Sequence, residues 1–66
     1  MSAALSTREH EVASLVTAGL TNRQIAERLV IATRTVDNHV QHIFDKLAVS
    51  SRAQVAAWVA MRSVGA

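Results

Sequence analysis

A chain of 66 residues, half of them hydrophobic, has material for one domain around one small core, and its composition argues against disorder. Seven Lys or Arg against five Asp or Glu leave a formal net charge of +2, too little to mark a nucleic-acid binder by charge alone. With no cysteine there is neither a disulfide framework nor a thiolate metal site, and no segment nears the roughly 18 consecutive apolar residues of a membrane span. No signal-peptide pattern opens the chain, so a cytoplasmic protein is expected, without membrane partners. The only aromatic residues are Phe44 and Trp58, so Leu, Val, Ile and Ala must do most of the packing.

Taken in order, the chain reads as four helices with no strand. The first is predicted over about Thr7–Ala18, opened by Ser6-Thr7-Arg8-Glu9, a capping-box phrase in which a hydroxyl and an acid satisfy each other's orphan N–H groups. Val12, Leu15 and Val16 are its inward residues, and Gly19 supplies the left-handed residue that ends it. A second box, Thr21-Asn22-Arg23-Gln24, opens a helix over Asn22–Leu29 that buries Ile25, Ala26 and Leu29. The third helix spans Thr33–Leu47, with Thr33 as its candidate cap. The fourth spans Ser51 to about Arg62 behind the box Ser51-Arg52-Ala53-Gln54. Proline is absent and no segment alternates with period two. An ordered core of about residues 5–62 is expected within a single domain of 1–66, with frayed ends.

The third helix has two unlike faces. At about 100° per residue, Arg34, Asp37, Asn38, Gln41 and Asp45 share one stripe, and Val36, Val40, Ile43 and Leu47 lie roughly opposite. The second stripe is built for burial. The first is a row of hydrogen-bonding groups with no evident partner inside the chain. The short link from Leu29 to Thr33 forces the second and third helices to cross steeply, and small Ala26 permits close approach. That is helix-turn-helix geometry, in which the second helix of the pair leads with its N-terminal residues into the major groove. Arg can donate twice to guanine, Asn and Gln can read adenine, and Asp can accept from cytosine. Thr21, Asn22, Thr33 and Thr35, at the starts of these helices, suit phosphate contacts.

The chain also resembles a known family, the LuxR-type DNA-binding domain found in NarL-like regulators. The resemblance is carried by Leu5-Ser-Thr-Arg-Glu-His-Glu-Val12, Gly19-Leu-Thr-Asn-Arg-Gln-Ile-Ala26, Thr33-Arg-Thr-Val36 with His39, and Lys46-Leu47 followed by Ser51-Arg52-Ala53. It covers about residues 5–60 in order and without gaps. It implies an all-α, four-helix helix-turn-helix bundle that binds double-stranded DNA to regulate transcription, as the C-terminal effector part of a larger bacterial regulator. It implies base reading by Arg34, Asp37, Asn38 and Gln41, and phosphate contact by Asn22, Arg23, Thr33, Thr35, His39 and Lys46. Three positions depart from the family's habits. Val30 stands where glycine is frequent, Asp37 where Lys or Glu is, and Gln41 where a basic residue is; the last two make the reading face less positive.

The fourth helix carries a second pattern. Val55 and Val59 point toward the core, with Trp58 on the flank, while Ala53, Ala57, Ala60 and Val64 form a small-residue stripe. That stripe is either an inert surface rich in good helix formers or the face of a homodimer, weak or DNA-induced; the resemblance implies the dimer. His10, His39 and His42 make no convincing metal set, and Glu9 and Glu11 read as first-turn residues that complement the helix dipole. Nothing positions a nucleophile, and neither catalysis nor a cofactor nor a small-molecule ligand is expected. Two other readings fit the same pattern: a helical protein-interaction module that needs no DNA, and a sigma-factor-like promoter-reading region.

Overall fold

A computed structural model of the chain describes the backbone of residues 5–65 and the side chains of residues 5–62. Four helices follow one another: α1 (Thr7–Thr17), α2 (Asn22–Leu29), α3 (Thr33–Leu47) and α4 (Arg52–Gly65), with no strand among the described residues. The fold is all-α, as the periodicity predicts. Helix α4 runs past its expected end at Arg62 to Gly65, and Leu5, at the edge of the expected ordered core, is buried.

The first two helices start as their capping phrases predict. The Ser6 hydroxyl accepts the Glu9 N–H at 3.2 Å, while the Glu9 carboxylate accepts the Ser6 N–H at 2.9 Å. Thr21 and Gln24 repeat the exchange at 3.1 and 2.9 Å. The third box closes one residue off. The Gln54 N–H donates to the Ser51 hydroxyl, but the Gln54 side-chain oxygen accepts from the N–H of Ser50, at 2.8 Å. Thr33 is not the cap of α3. Ala32 takes the extended cap conformation and offers no side-chain bond, so Thr33 is already the first helical residue, where its hydroxyl is misplaced to serve the third N–H. Residues 30–32 are used up in reversing the chain while Ile31 packs against the core, and the helix starts immediately after them.

Three helices end through a left-handed residue. After α1 this is Gly19 (φ 93°), and the Leu20 and Gly19 N–H groups return to the Leu15 and Val16 carbonyls at 3.1 and 3.0 Å, a Schellman motif. After α2 and α3 the same role falls to Val30 (φ 58°) and Ala48 (φ 55°), side chains for which this conformation is strained. The following residues, Ile31 and Val49, donate back to Ala26 and Phe44, each at 3.0 Å. Val30 is also 88% exposed, so its side chain gains almost nothing by packing.

The inward residues of all four helices meet in one cluster. Ile25, Ile43, Val12, Val36 and Val55 are fully buried, and Val16, Val40, Ala13 and Ala26 fill the spaces between them. Burying one such Val or Ile contributes about 1.5–3 kcal/mol, the main favourable term in a domain this small. Leu15, Leu29, Leu47, Trp58 and Val59 close the rim. The inward stripe of α3 therefore falls where its spacing puts it: Val36, Val40 and Ile43 are buried and Leu47 is half-buried.

One buried charge ties the bundle together. Glu9, expected only as a first-turn acid, is 5% exposed, and its carboxylate accepts from the Lys46 ammonium of α3 at 2.8 Å. His42 approaches the other carboxylate oxygen at 3.9 Å. The Lys46 hydrogen bond first, and then the Ser6 backbone N–H, hold the Glu9 carboxyl below the usual glutamate range against the opposing effect of burial. Capping of α1 and clamping of α1 to α3 are thus done by one side chain. Where α1 meets α4, the Trp58 ring centroid lies 6.1 Å from that of His10, and the Arg62 guanidinium sits 4.8 Å over the indole.

Candidate nucleic-acid interface

Packing α3 by its apolar stripe turns the polar stripe outward. Arg34, Asp37, Asn38, Gln41 and Asp45 are all exposed, along a helix of 15 residues. Such a helix is about 22 Å long and roughly 10–12 Å across with its side chains, a match to the width of the B-DNA major groove. Helix α2 crosses behind its N-terminal half, joined to it by the three-residue turn of Val30, Ile31 and Ala32.

The stripe is less free of partners than its sequence suggests. Asp37 accepts from the side-chain amide of Asn22 at 2.8 Å, and Gln41 donates to Asp45 one turn on at 3.2 Å. Arg34 and Asn38 make no side-chain hydrogen bond or ion pair among the described residues, so their donors are turned to solvent unspent. The reason is positional. Asn22 begins α2 at the point where that helix passes the first turns of α3, a proximity that no spacing within α3 reveals.

The residues expected at phosphates fall into three pairs and a lone histidine. Thr33 and Thr35 lie at the uncapped start of α3, Thr33 exposed and Thr35 half-buried. There the N–H groups of Thr33 and Arg34 find no acceptor among the described residues, which leaves them available to an anion. Thr21 and Arg23 flank the start of α2, Thr21 serving as its cap and Arg23 pairing loosely with Glu27 at 3.7 Å. Asn22 and Lys46 are committed inside the fold, Asn22 to Asp37 and Arg52, and Lys46 to Glu9. His39 sits half-buried at the border of the two stripes of α3.

Two residues had no site role in the sequence reading and acquire one from the fold. Glu9 is the acid under the α1–α3 contact. Arg52, the first residue of α4, donates to the Asn22 side-chain oxygen at 2.7 Å and to the Leu20 carbonyl at 2.6 Å. The charge of Arg52 and the capping position of Glu9 are visible in the sequence, but neither residue's partner is. On α4, Ala53, Ala57 and Ala60 are exposed and Val55 is buried, in keeping with the two faces expected there; Val64 lies outside the described side chains. Among the described residues no helix is long and apolar enough to cross a membrane, and no three His, Asp or Glu side chains are grouped to hold a metal ion.

A short helix, a tight turn and a longer helix with a polar outer face, braced by two further helices, define a helix-turn-helix DNA-binding domain. Comparison with known proteins agrees. The family model described as bacterial regulatory proteins, luxR family, matches residues 3–59. The nitrate/nitrite response regulator NarL of Escherichia coli K12 is 42% identical over 55 residues, 83% of this chain and 26% of that protein. The transcriptional regulatory protein LnrK of Bacillus subtilis is 50% identical over 52 residues, 79% of this chain and 24% of that protein. A putative HTH-type transcriptional regulator of Mycobacterium bovis is 43% identical over 51 residues, 77% of this chain but 6% of that protein. The chain belongs to the LuxR family of bacterial regulatory proteins and is a DNA-binding domain of transcription regulation. It spans about a quarter or less of the length of these relatives.

Proposed function

We propose that this domain reads specific double-stranded DNA by laying the first turns of α3 in the major groove. Arg34, Asp37, Asn38 and Gln41 face base edges, and Thr21, Arg23, Thr33, Thr35 and His39 face phosphates. The observation that carries this reading is the pair Arg34 and Asn38, exposed on the outer stripe with no internal partner while the opposite stripe is buried. Asn22 keeps one amide N–H and Lys46 two ammonium N–H groups beyond their bonds to Asp37 and Glu9, so both face phosphates from positions fixed by the fold. The uncapped start of α3 adds two N–H donors for a phosphate at the groove edge.

The net charge of +2 makes one copy a weak binder, because non-specific affinity depends on phosphates neutralised. A second copy on an adjacent half-site supplies the missing affinity through effective concentration. The exposed Ala53, Ala57 and Ala60 of α4, extended in sequence by Val64, form the face of that homodimer, weak or DNA-induced. The domain acts as the C-terminal effector part of a larger cytoplasmic regulator, gathered at the nucleoid by its DNA, and carries no catalysis and no small-molecule ligand of its own.

Selection of bound sites from a random duplex pool tests the reading. Arg34→Ala or Asn38→Ala is expected to relax preference at one base pair per half-site and to cost about 1–3 kcal/mol there. Stripe variants with wild-type site profiles refute base reading by this face. Ala57→Glu is expected to weaken binding to a paired site while sparing a single half-site; equal loss on both refutes the α4 dimer.

A further inference from the structure

Four groups from three helices and a loop form one polar chain. The Arg52 guanidinium donates to the Leu20 carbonyl and to the Asn22 side-chain oxygen, and the Asn22 side-chain amide donates to Asp37. Its direction is forced. Arginine can only donate and an ionised aspartate can only accept, so Asn22 must show its oxygen to Arg52 and its nitrogen to Asp37. Arg52 and Asn22 are each half-buried, whereas Asp37 at the end of the chain is exposed on the outer stripe of α3.

Arg34 stands three residues before Asp37, a spacing at which opposite charges on a helix ordinarily pair. Among the described residues no ion pair joins them, although the same spacing pairs Arg8 with Glu11 at 3.4 Å on α1. One difference between the two pairs is Asn22. Its amide holds one Asp37 oxygen at 2.8 Å, and the Arg34 guanidinium is left with all its donors. Without that restraint, the obvious internal partner for either group is the other, and a mutual pair would withdraw a guanine donor and a cytosine acceptor from the groove together.

We propose that Arg52 is a positioning residue for sequence readout: acting through Asn22, it keeps the Asp37 carboxylate apart from Arg34 so that the two read separate base pairs. The inference rests on the α3 reading above and adds a residue of α4 that touches neither base nor phosphate. It also makes the seating of α4, the helix assigned to dimerisation, a determinant of what α3 prefers.

Site selection with four variants, each checked by thermal melting, tests this. Arg34→Ala and Asp37→Ala should each alter preference at one base pair. Arg52→Ala should weaken preference at both of those pairs at once, by about threefold each, a fraction of the discrimination one good base contact supplies. Asn22→Asp keeps an acceptor for Arg52 but removes the donor to Asp37, so it should reproduce the double effect even where Arg52→Ala fails to fold. A merely structural role for Arg52 predicts instead a lower melting temperature and a uniform loss of affinity with the site profile intact. That result, or Asn22→Asp with an unaltered profile, overturns the proposal while leaving the α3 reading standing. A profile indifferent to Arg34→Ala and Asp37→Ala refutes the α3 reading and the proposal with it.

Discussion

Val30 lends itself to a substitution whose sign runs against ordinary expectation for a valine. It occupies the left-handed region at φ 58° and ψ 50°, at the turn between α2 and α3, and is 88% exposed. A non-glycine residue in this conformation carries roughly 1–2 kcal/mol of steric cost, with a β-branched side chain near the upper end. Replacing it with glycine removes that cost. Two smaller terms oppose the gain. The extra freedom of glycine in the unfolded chain costs about 0.5–1 kcal/mol. The lost contact is the remaining 12% of a side chain worth about 1.5–3 kcal/mol when fully buried, hence about 0.3 kcal/mol. Val30→Gly should therefore stabilise the domain by roughly 0.5–1 kcal/mol, raising the melting temperature of a domain this size by about 3–6 °C. Thermal and urea unfolding followed by circular dichroism measures it. Val30→Asn, whose side chain tolerates the left-handed region, should move the same way by less. A fall in melting temperature for Val30→Gly refutes the reasoning, because it would mean that the turn is held by the valine rather than in spite of it.

Other perturbations have equally definite outcomes. Gly19→Ala meets no atom within 4 Å of the added Cβ, so its cost is conformational alone, about 1 kcal/mol at φ 93°, and should appear as a lower urea midpoint with unchanged slope. Glu9→Gln keeps the cap but discharges the clamp to Lys46, and should cost about 1 kcal/mol at neutral pH, a modest figure because Lys46 is 40% exposed. Because the folded-state carboxyl is held below its ordinary value of 4.5, its contribution is complete above that pH and is lost as pH falls through the folded value. A pH series of melts should thus show wild type and Glu9→Gln converging in acid; curves that coincide at every pH would assign the stability to the cap, which glutamine retains. Ile43→Ala, in the middle of the α3 packing stripe and 1% exposed, should cost about 2–4 kcal/mol and abolish cooperative unfolding if the domain is only marginally stable.

Much of this molecule is legible in one dimension because helix-local physics decides it. Helix periodicity places Val36, Val40 and Ile43 inside and Arg34 and Asn38 outside, and the capping phrases mark the starts of α1 and α2, because each rule acts over three or four residues of one chain. The same locality explains what sequence reading misjudged. Thr33 matches a cap by type, but the reversal through Val30–Ala32 decides where α3 begins, and that depends on how Ile31 seats against the other helices. Asp37 reads as a group without a partner until α2 is laid across α3 and brings Asn22 to it.

By itself, then, the sequence determined the four helices and the sidedness of each, since both follow from residue type and spacing, and its motifs carried the resemblance to the family. Only the tertiary structure decided which polar groups remain free to meet DNA. Glu9 and Lys46 are 37 positions apart and Arg52 and Asn22 are 30, yet each pair lies within hydrogen-bond reach. Pairing over such separations is set by how helices cross, and crossing is set by the joint packing of all four apolar stripes. The outer face of α3 therefore owes its composition to the sequence of α3, and its availability to the three helices behind it.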